Sequence, residues 1–192
     1  MTDNVIDNKH WKLSIMNKKI SLLLINVLLI FSFSIPLSAY ELVLSNTPVQ
    51  ICFSPKGGCT EAIVKEISHA KSEIDIQAYS FTSVPIAKAL VDAHKRGIKV
   101  EAILDKSQKK EKYTSATFLN NSGNPTYIDS KHAIAHNKIM IIDKEIVITG
   151  SFNFTKAAEE KNAENLLIIR NKKLAETYMN NWNRHSEHSE RY

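Results

Sequence analysis

Five side chains in the second half of this sequence could between them bind and cut a phosphodiester: His136, Lys138, Ser151, Asn153 and Glu164. His136 and Lys138 stand two apart in HNKIMIID, an apolar run that otherwise reads as a buried strand. Strand side chains alternate faces, so His136, Lys138, Met140 and Ile142 share one face, while Asn137, Ile139, Ile141 and Asp143 share the other. Ser151 and Asn153 are again two apart in GSFNF, behind Gly150, whose missing side chain lets backbone approach closely. Glu164 opens the apolar run ENLLIIR. An imidazole, an ammonium, a hydroxyl, an amide and a carboxylate from three neighbouring segments make a pocket for an oxyanion beside a nucleophile. Lys138, Ser151 and Asn153 would donate to phosphate oxygens. Glu164 would accept from one nitrogen of His136, leaving the other to present its lone pair. Asp143, on the opposite strand face and beside a turn, reads as a supporting member of the set.

The elements that must hold these groups follow from the spacing of apolar residues. VQICFS, EIDIQAYSF and IKVEAILD read as strands, separated by helices over TEAIVKEISHAKS, with Thr60 as N-cap, and SVPIAKALVDAHKRG, with Ser83 as cap and Gly97 as stop. That alternation predicts an α/β fold: a mixed, largely parallel β-sheet flanked by helices on both faces. KSQKKEKYTSATFLNNSG reads as a helix with a frayed basic start, and NPTYID as a short strand. Two strands joined by a tight turn then span 136–151, followed by a strand in NAENLLIIR and a closing helix in KKLAETYMNNWNRH. Residues 186–192, SEHSERY, read as a polar disordered tail. His69, His94, His185 and His188 receive no role.

A chain of 192 residues, 43% apolar and 23% charged, has the composition of one globular domain, which excludes a disordered or collagenous chain. Residues 1–39 stand apart. A lysine pair, the apolar stretch 20–35 and Ala39 follow the order of a secretory signal peptide, leaving a domain over 40–185 in an exported, periplasmic or secreted protein. An uncleaved membrane anchor is the other reading of that stretch. Met16, directly before NKK, would give a more compact leader if translation began there. The whole chain carries a net charge of +5 and stays mildly basic without the leader, which weakly favours polyanionic partners. Cys52 and Cys59 bracket FSPKGG, and in an exported chain they read as a disulfide, with two packed free thiols as the alternative.

H-x-K-x-x-x-x-D followed by G-S-x-N, here His136, Lys138, Asp143, Gly150, Ser151 and Asn153 with Glu164 beyond, resembles the motif of the phospholipase D superfamily. With CFSPKGGC, QAYSFTS and AHKRG, the chain beyond the leader is similar to the small single-motif bacterial Nuc-type endonucleases. The resemblance implies two-step phosphodiester cleavage, in which His136 attacks phosphorus to form a phosphohistidine and a second histidine protonates the leaving oxygen. One motif per chain implies a homodimer whose twin supplies that second histidine. It implies no metal and no cofactor, since lysines stand where cations would. His132 and His136 have i,i+4 ligand spacing, but HAIAH lacks the glutamate of H-E-x-x-H. Nucleic acid is the expected substrate, with Lys106, Lys109, Lys110 and Lys112 tracking its backbone. A membrane would be met only through an uncleaved leader. Phospholipid head-group hydrolysis is the alternative activity, and a phosphate-binding module without turnover a third.

Overall fold

Eight strands form one sheet in the order β1-β7-β6-β5-β2-β3-β4-β8. The computed structural model describes residues 39, 41–109 and 114–192, and the compact unit is Leu42–Tyr192. The leader, Lys110 and Lys112 lie outside the described residues. The elements are β1 (Val49–Ser54), α1 (Cys59–His69), β2 (Glu73–Ala78), α2 (Val84–Lys95), β3 (Lys99–Asp105), a 3-10 turn (Lys106–Lys109) and α3 (Ser115–Asn121). Then come β4 (Thr126–Asp129), β5 (Lys138–Ile142), β6 (Ile146–Gly150), α4 (Lys156–Glu160), β7 (Glu164–Arg170), α5 (Lys172–Ser186) and β8 (Glu190–Arg191).

The sheet is mixed and covered on both faces, as expected, but its parallel part is confined to β2, β3 and β4. The other pairings are antiparallel. The connections explain the difference. A parallel crossover needs a dozen or more residues, which α1, α2 and α3 supply, whereas β5 and β6 are joined by three residues. Asp143 and Lys144 both have φ of 54°, the left-handed pair that a tight hairpin requires.

One face of the sheet buries Ile74, Ile76, Met140, Ile148 and Leu166 against Ile63 and Ile67 of α1, Ile86 and Leu90 of α2 and Leu119 of α3. The other face has α5, whose Ala175 and Trp182 cover Ile103, Ile139, Ile141 and Val147. Trp182 also donates its indole N–H to the Ile76 carbonyl at 2.9 Å. On the same face, Val49, Ile51 and Phe53 of β1 stay 45, 55 and 68% exposed along the sheet's outer strip.

Three expectations are corrected here. Thr60 does not cap α1. The helix starts at Cys59 behind Gly58, and Glu159 reaches across from α4 to accept from Gly58 N (3.0 Å) and Thr60 N (2.7 Å), as an N-terminal carboxylate should. Residues 186–192 are not a disordered tail: Glu190 and Arg191 pair with Ile128 and Tyr127, and Tyr192 N donates to Thr126 O at 2.9 Å. The free edge of β4 offers backbone partners that polar side chains do not forfeit.

Cys52 and Cys59 are free thiols, not a disulfide. Both are packed as small apolar groups in the larger cluster. Burial pushes the Cys59 thiol up to about 12, reinforced by neighbouring Cys52 and Glu159. Since the thiolate is the nucleophile, Cys59 should be alkylated by iodoacetamide at pH 8 only after unfolding. Mass spectrometry of quenched samples checks this, and rapid labelling of the native protein would contradict it.

Candidate active site

β5 lies between β2 and β6, with Ala78 opposite Lys138 and Met140 opposite Ile148. Lys138, Met140 and Ile142 share the face of the larger cluster as the parity argument requires, while Ile139 and Ile141 face α5. The ladder begins at Lys138, so His136 stands just before the strand, in a segment held at both sides. Tyr79 N donates to Asn137 O at 2.8 Å, and Ala135 N donates to the buried Asp105 carboxylate at 2.7 Å. Asp105 also accepts from Ser107 N at 2.9 Å, so the end of β3 fixes the approach to His136.

The His136 ring is exposed and rests on Tyr79, with centroids 4.6 Å apart and planes at 55°. Lys138 is only 8% exposed. Its Nζ donates to His136 O at 3.0 Å and sits 5.1 Å from the centre of the Tyr79 ring. Burial lowers the Lys138 ammonium's pKa from its ordinary value, and the charge of Glu164 opposes that shift. Among the described residues Lys138 forms no ion pair, so two of its three N–H groups remain for an anion.

Gly150 is required where β6 meets the site. Its φ is 147°, and a Cβ there would lie 2.3 Å from Asn165 O. That close approach lets Ser151 N donate to Asn165 O and Oδ1, both at 3.1 Å, while Ser151 Oγ accepts from Asn165 N at 3.0 Å. The Ser151 hydroxyl proton is thus free to donate elsewhere. Phe152 and Phe154 alternate with Ser151 and Asn153 and are fully buried, Phe154 packing edge-on to Phe81 at 5.9 Å. They anchor the segment, yet the Asn153 side-chain carbonyl is buried without a partner. A buried carbonyl needs a donor, which a phosphate oxygen is not, so a contact from Asn153 to phosphate would fall to its Nδ2 amide group.

Two placements differ from expectation. Glu164 accepts from Asn162 Nδ2 at 3.2 Å, not from His136, and among the described residues its effect on the site is through its charge near Lys138. Asp143 lies at the far end of β5, roughly 20 Å from His136 at the rise of a strand. Its carboxylate accepts from Lys71 N (2.9 Å), Ser72 N (2.7 Å), Ser72 Oγ (2.8 Å) and Glu73 N (3.2 Å), tying the hairpin to the start of β2. It therefore leaves the catalytic set. Burial pushes its pKa up, but those bonds outweigh burial and hold the carboxyl below its usual range. A depressed folded pKa contributes stability above the unfolded value of about 4 that is lost as pH falls through the folded one. Asp143→Asn, which keeps a residue tolerant of positive φ, should cost about 1–2 kcal/mol at pH 7 and flatten the acid side of the stability curve. Turnover below the melting temperature should be unchanged, and a large loss would return Asp143 to the site.

Lys106 and Lys109 are exposed and line a groove of about 430 Å³ with Tyr79, Ser130 and Ile134, adjoining His136 through the Tyr79 ring. Tyr79, Asp105 and Asn165 were missed by sequence reasoning. Asn165 follows Glu164 directly and Tyr79 ends an alternating run, but nothing local marks either as a partner of His136 or Ser151.

The profile of the family described as Cardiolipin synthase, PLD-like domain, matches residues 63–186, which include every group placed in this pocket. The chain belongs to the phospholipase D superfamily. It is 46% identical over 139 residues to a protein named Phospholipase D from Rickettsia prowazekii, covering 72% of this chain and 68% of that one. Among solved structures, the phospholipase D family member Nuc from Salmonella typhimurium superposes with a TM-score of 0.74 at 40% identity, over 77% of this chain and 99% of Nuc. NucT from Helicobacter pylori gives 0.72 at 25% identity, over 77% and 100%. A mitochondrial cardiolipin hydrolase from Xenopus laevis is 26% identical over 155 residues, 79% of this chain and 73% of that one. This phospholipase D-superfamily chain is accordingly a phosphodiesterase, with its motif side chains on the sheet positions described above.

Proposed function

We propose that the protein is a metal-independent endonuclease that cleaves DNA or RNA without sequence preference through a phosphohistidine. The observation that carries the reading is the exposed His136 imidazole beside a buried Lys138 ammonium that forms no ion pair among the described residues. Lys138, Ser151 and Asn153 hold the phosphate oxygens. Neutral His136 attacks phosphorus, the P–O bond to the leaving group breaks, and the departing oxygen takes a proton from a second imidazole. That imidazole then removes a proton from water, which attacks phosphorus and releases His136.

A second copy of the chain supplies the second imidazole. Among the described residues His69 and His94 belong to α1 and α2, and His132, His185 and His188 gather on Asp129, so none stands opposite His136. The exposed strip Val49, Ile51 and Phe53 lies on the same sheet side as Asn165, which faces Phe53 across β1 and β7, and would suit burial against the twin. Lys106 and Lys109 beside Tyr79 favour a nucleic acid strand in the groove, with Lys110 and Lys112 extending the same basic run. The leader would route the enzyme to the periplasm or beyond, which N-terminal sequencing of the exported protein would check by a start at Tyr40.

Phospholipid hydrolysis is the second reading, favoured by the names of the Rickettsia and Xenopus relatives and by Ile134, 58% exposed at the groove. One experiment separates the two: purified protein in excess EDTA with plasmid DNA, and in parallel with phosphatidylcholine and cardiolipin vesicles. Nicking and linearisation of the plasmid with intact lipid is expected. Lipid cleavage alone would transfer the assignment to the second reading, and a requirement for added Mg²⁺ in protein not treated with chelator would refute the lysine-based mechanism.

A further inference from the structure

Three histidines with no part in phosphodiester cleavage converge on one carboxylate. Asp129 ends β4 fully buried; His132 lies in the segment leading to His136, and His185 and His188 lie at the end of α5 and just beyond it. Asp129 Oδ2 is 2.7 Å from His185 Nδ1 and 3.0 Å from His132 Nδ1, and Oδ1 is 3.4 Å from His188 Nε2. The ring centroids are 4.9, 5.3 and 5.4 Å apart, and one nitrogen from each ring lies with a carboxylate oxygen within a 4.8 Å set. A tetrahedral ion with bonds of about 2.0–2.1 Å needs its ligand atoms about 3.3 Å apart, so small adjustments would seat one.

Hydrogen bonding alone explains only part of the cluster. His132 and His185 could each donate to Asp129, whose Oδ1 also accepts from Lys131 N at 3.1 Å. His188 Nε2 is the least well satisfied: it is buried and turned towards the carboxylate at 3.4 Å, without a hydrogen bond of good geometry. An imidazole nitrogen in that position is a cost to the fold unless its lone pair has somewhere to go. Three imidazoles and a carboxylate in one small cluster are the donor set of a borderline cation such as Zn²⁺.

We propose that His132 Nδ1, His185 Nδ1, His188 Nε2 and Asp129 Oδ2 bind one Zn²⁺ ion per chain. Each ring keeps its proton on the other nitrogen, and Lys131 N orients the carboxylate through Oδ1. Four protein ligands fill a tetrahedral shell and leave no position for a reacting water, so the ion is structural. It closes a link between residues far apart in the chain, clamping the segment before His136 to the end of α5 and the turn into β8. A polar C-terminal segment that pairs with β4 is thereby held at its base.

The test uses the full chain, stripped with chelator, dialysed, and titrated with Co²⁺ and then Zn²⁺. The expected result is saturation at one equivalent, with the intense visible absorption of four-coordinate cobalt, bleached by zinc. Zinc at a hundredfold excess over its Kd should raise the melting temperature by about 5–10 °C. His188→Ala and His185→Ala should lose both the cobalt spectrum and the thermal shift while keeping wild-type far-UV circular dichroism. No stoichiometric uptake by the wild type, a six-coordinate cobalt spectrum, or uptake undiminished in both variants would overturn the proposal. These readouts do not involve turnover, so their outcome is independent of which phosphodiester the enzyme cleaves.

Discussion

His136→Asn is expected to abolish turnover, by at least about 10⁴-fold, with little change in melting temperature. The ring is exposed, precedes β5 and contributes one packing contact, on Tyr79, so its loss removes chemistry without emptying the core. On the proposed mechanism the loss is large because a homodimer built on one motif would use the same residue as nucleophile in one subunit and proton donor in the other. Mixing gives the sharper measurement. After random subunit exchange with an excess of His136→Asn, heterodimers hold one histidine and cannot fill both roles. Activity should then follow the square of the wild-type subunit fraction, and a linear dependence would mean that each chain works alone.

Lys138→Met should lower kcat/KM by about 10²–10³, the scale seen when one preorganised donor to developing charge is removed. Its effect on stability should have the opposite sign. A buried ammonium without an ion pair carries a desolvation penalty that an apolar side chain of similar length does not, so the variant should melt at the wild-type temperature or above. Chemical denaturation alongside steady-state kinetics checks both. A joint loss of stability and rate would make Lys138 a structural residue. On the proposed mechanism Lys138 holds phosphate as the ammonium, and burial lowers its pKa. The rate should therefore fall with rising pH earlier than an ordinary lysine would dictate, a limb that Lys138→Met would lose.

Strand parity made the core of the site legible before any coordinates. A period of two is a local property, so HNKIMIID placed Lys138 with Met140 and Ile142, and GSFNF set Ser151 and Asn153 against the buried Phe152 and Phe154. The same alternation of periods gave the strands, the long helices and the two-sided covering of the sheet. The motif spacing, 136 to 153, spans one hairpin and needed only a tight turn to bring its ends together.

What remained was settled by contacts between residues far apart in sequence, which periodicity does not encode. The order of the strands decided that Tyr79 of the segment after β2 lies under His136, and that most pairings are antiparallel. Strand parity marked Asp143 as a supporting residue but not what it supports. The sheet puts it on the backbone amides of Lys71, Ser72 and Glu73, 70 to 72 residues away. The clearest case is Asp129 with His132, His185 and His188. Read along the chain, they are a strand end, a loop and a polar terminus without a ligand motif. Only the docking of α5 across the sheet and the return of β8 to the edge of β4 bring their nitrogens to one carboxylate, because proximity across 56 residues is a property of packing, not of spacing.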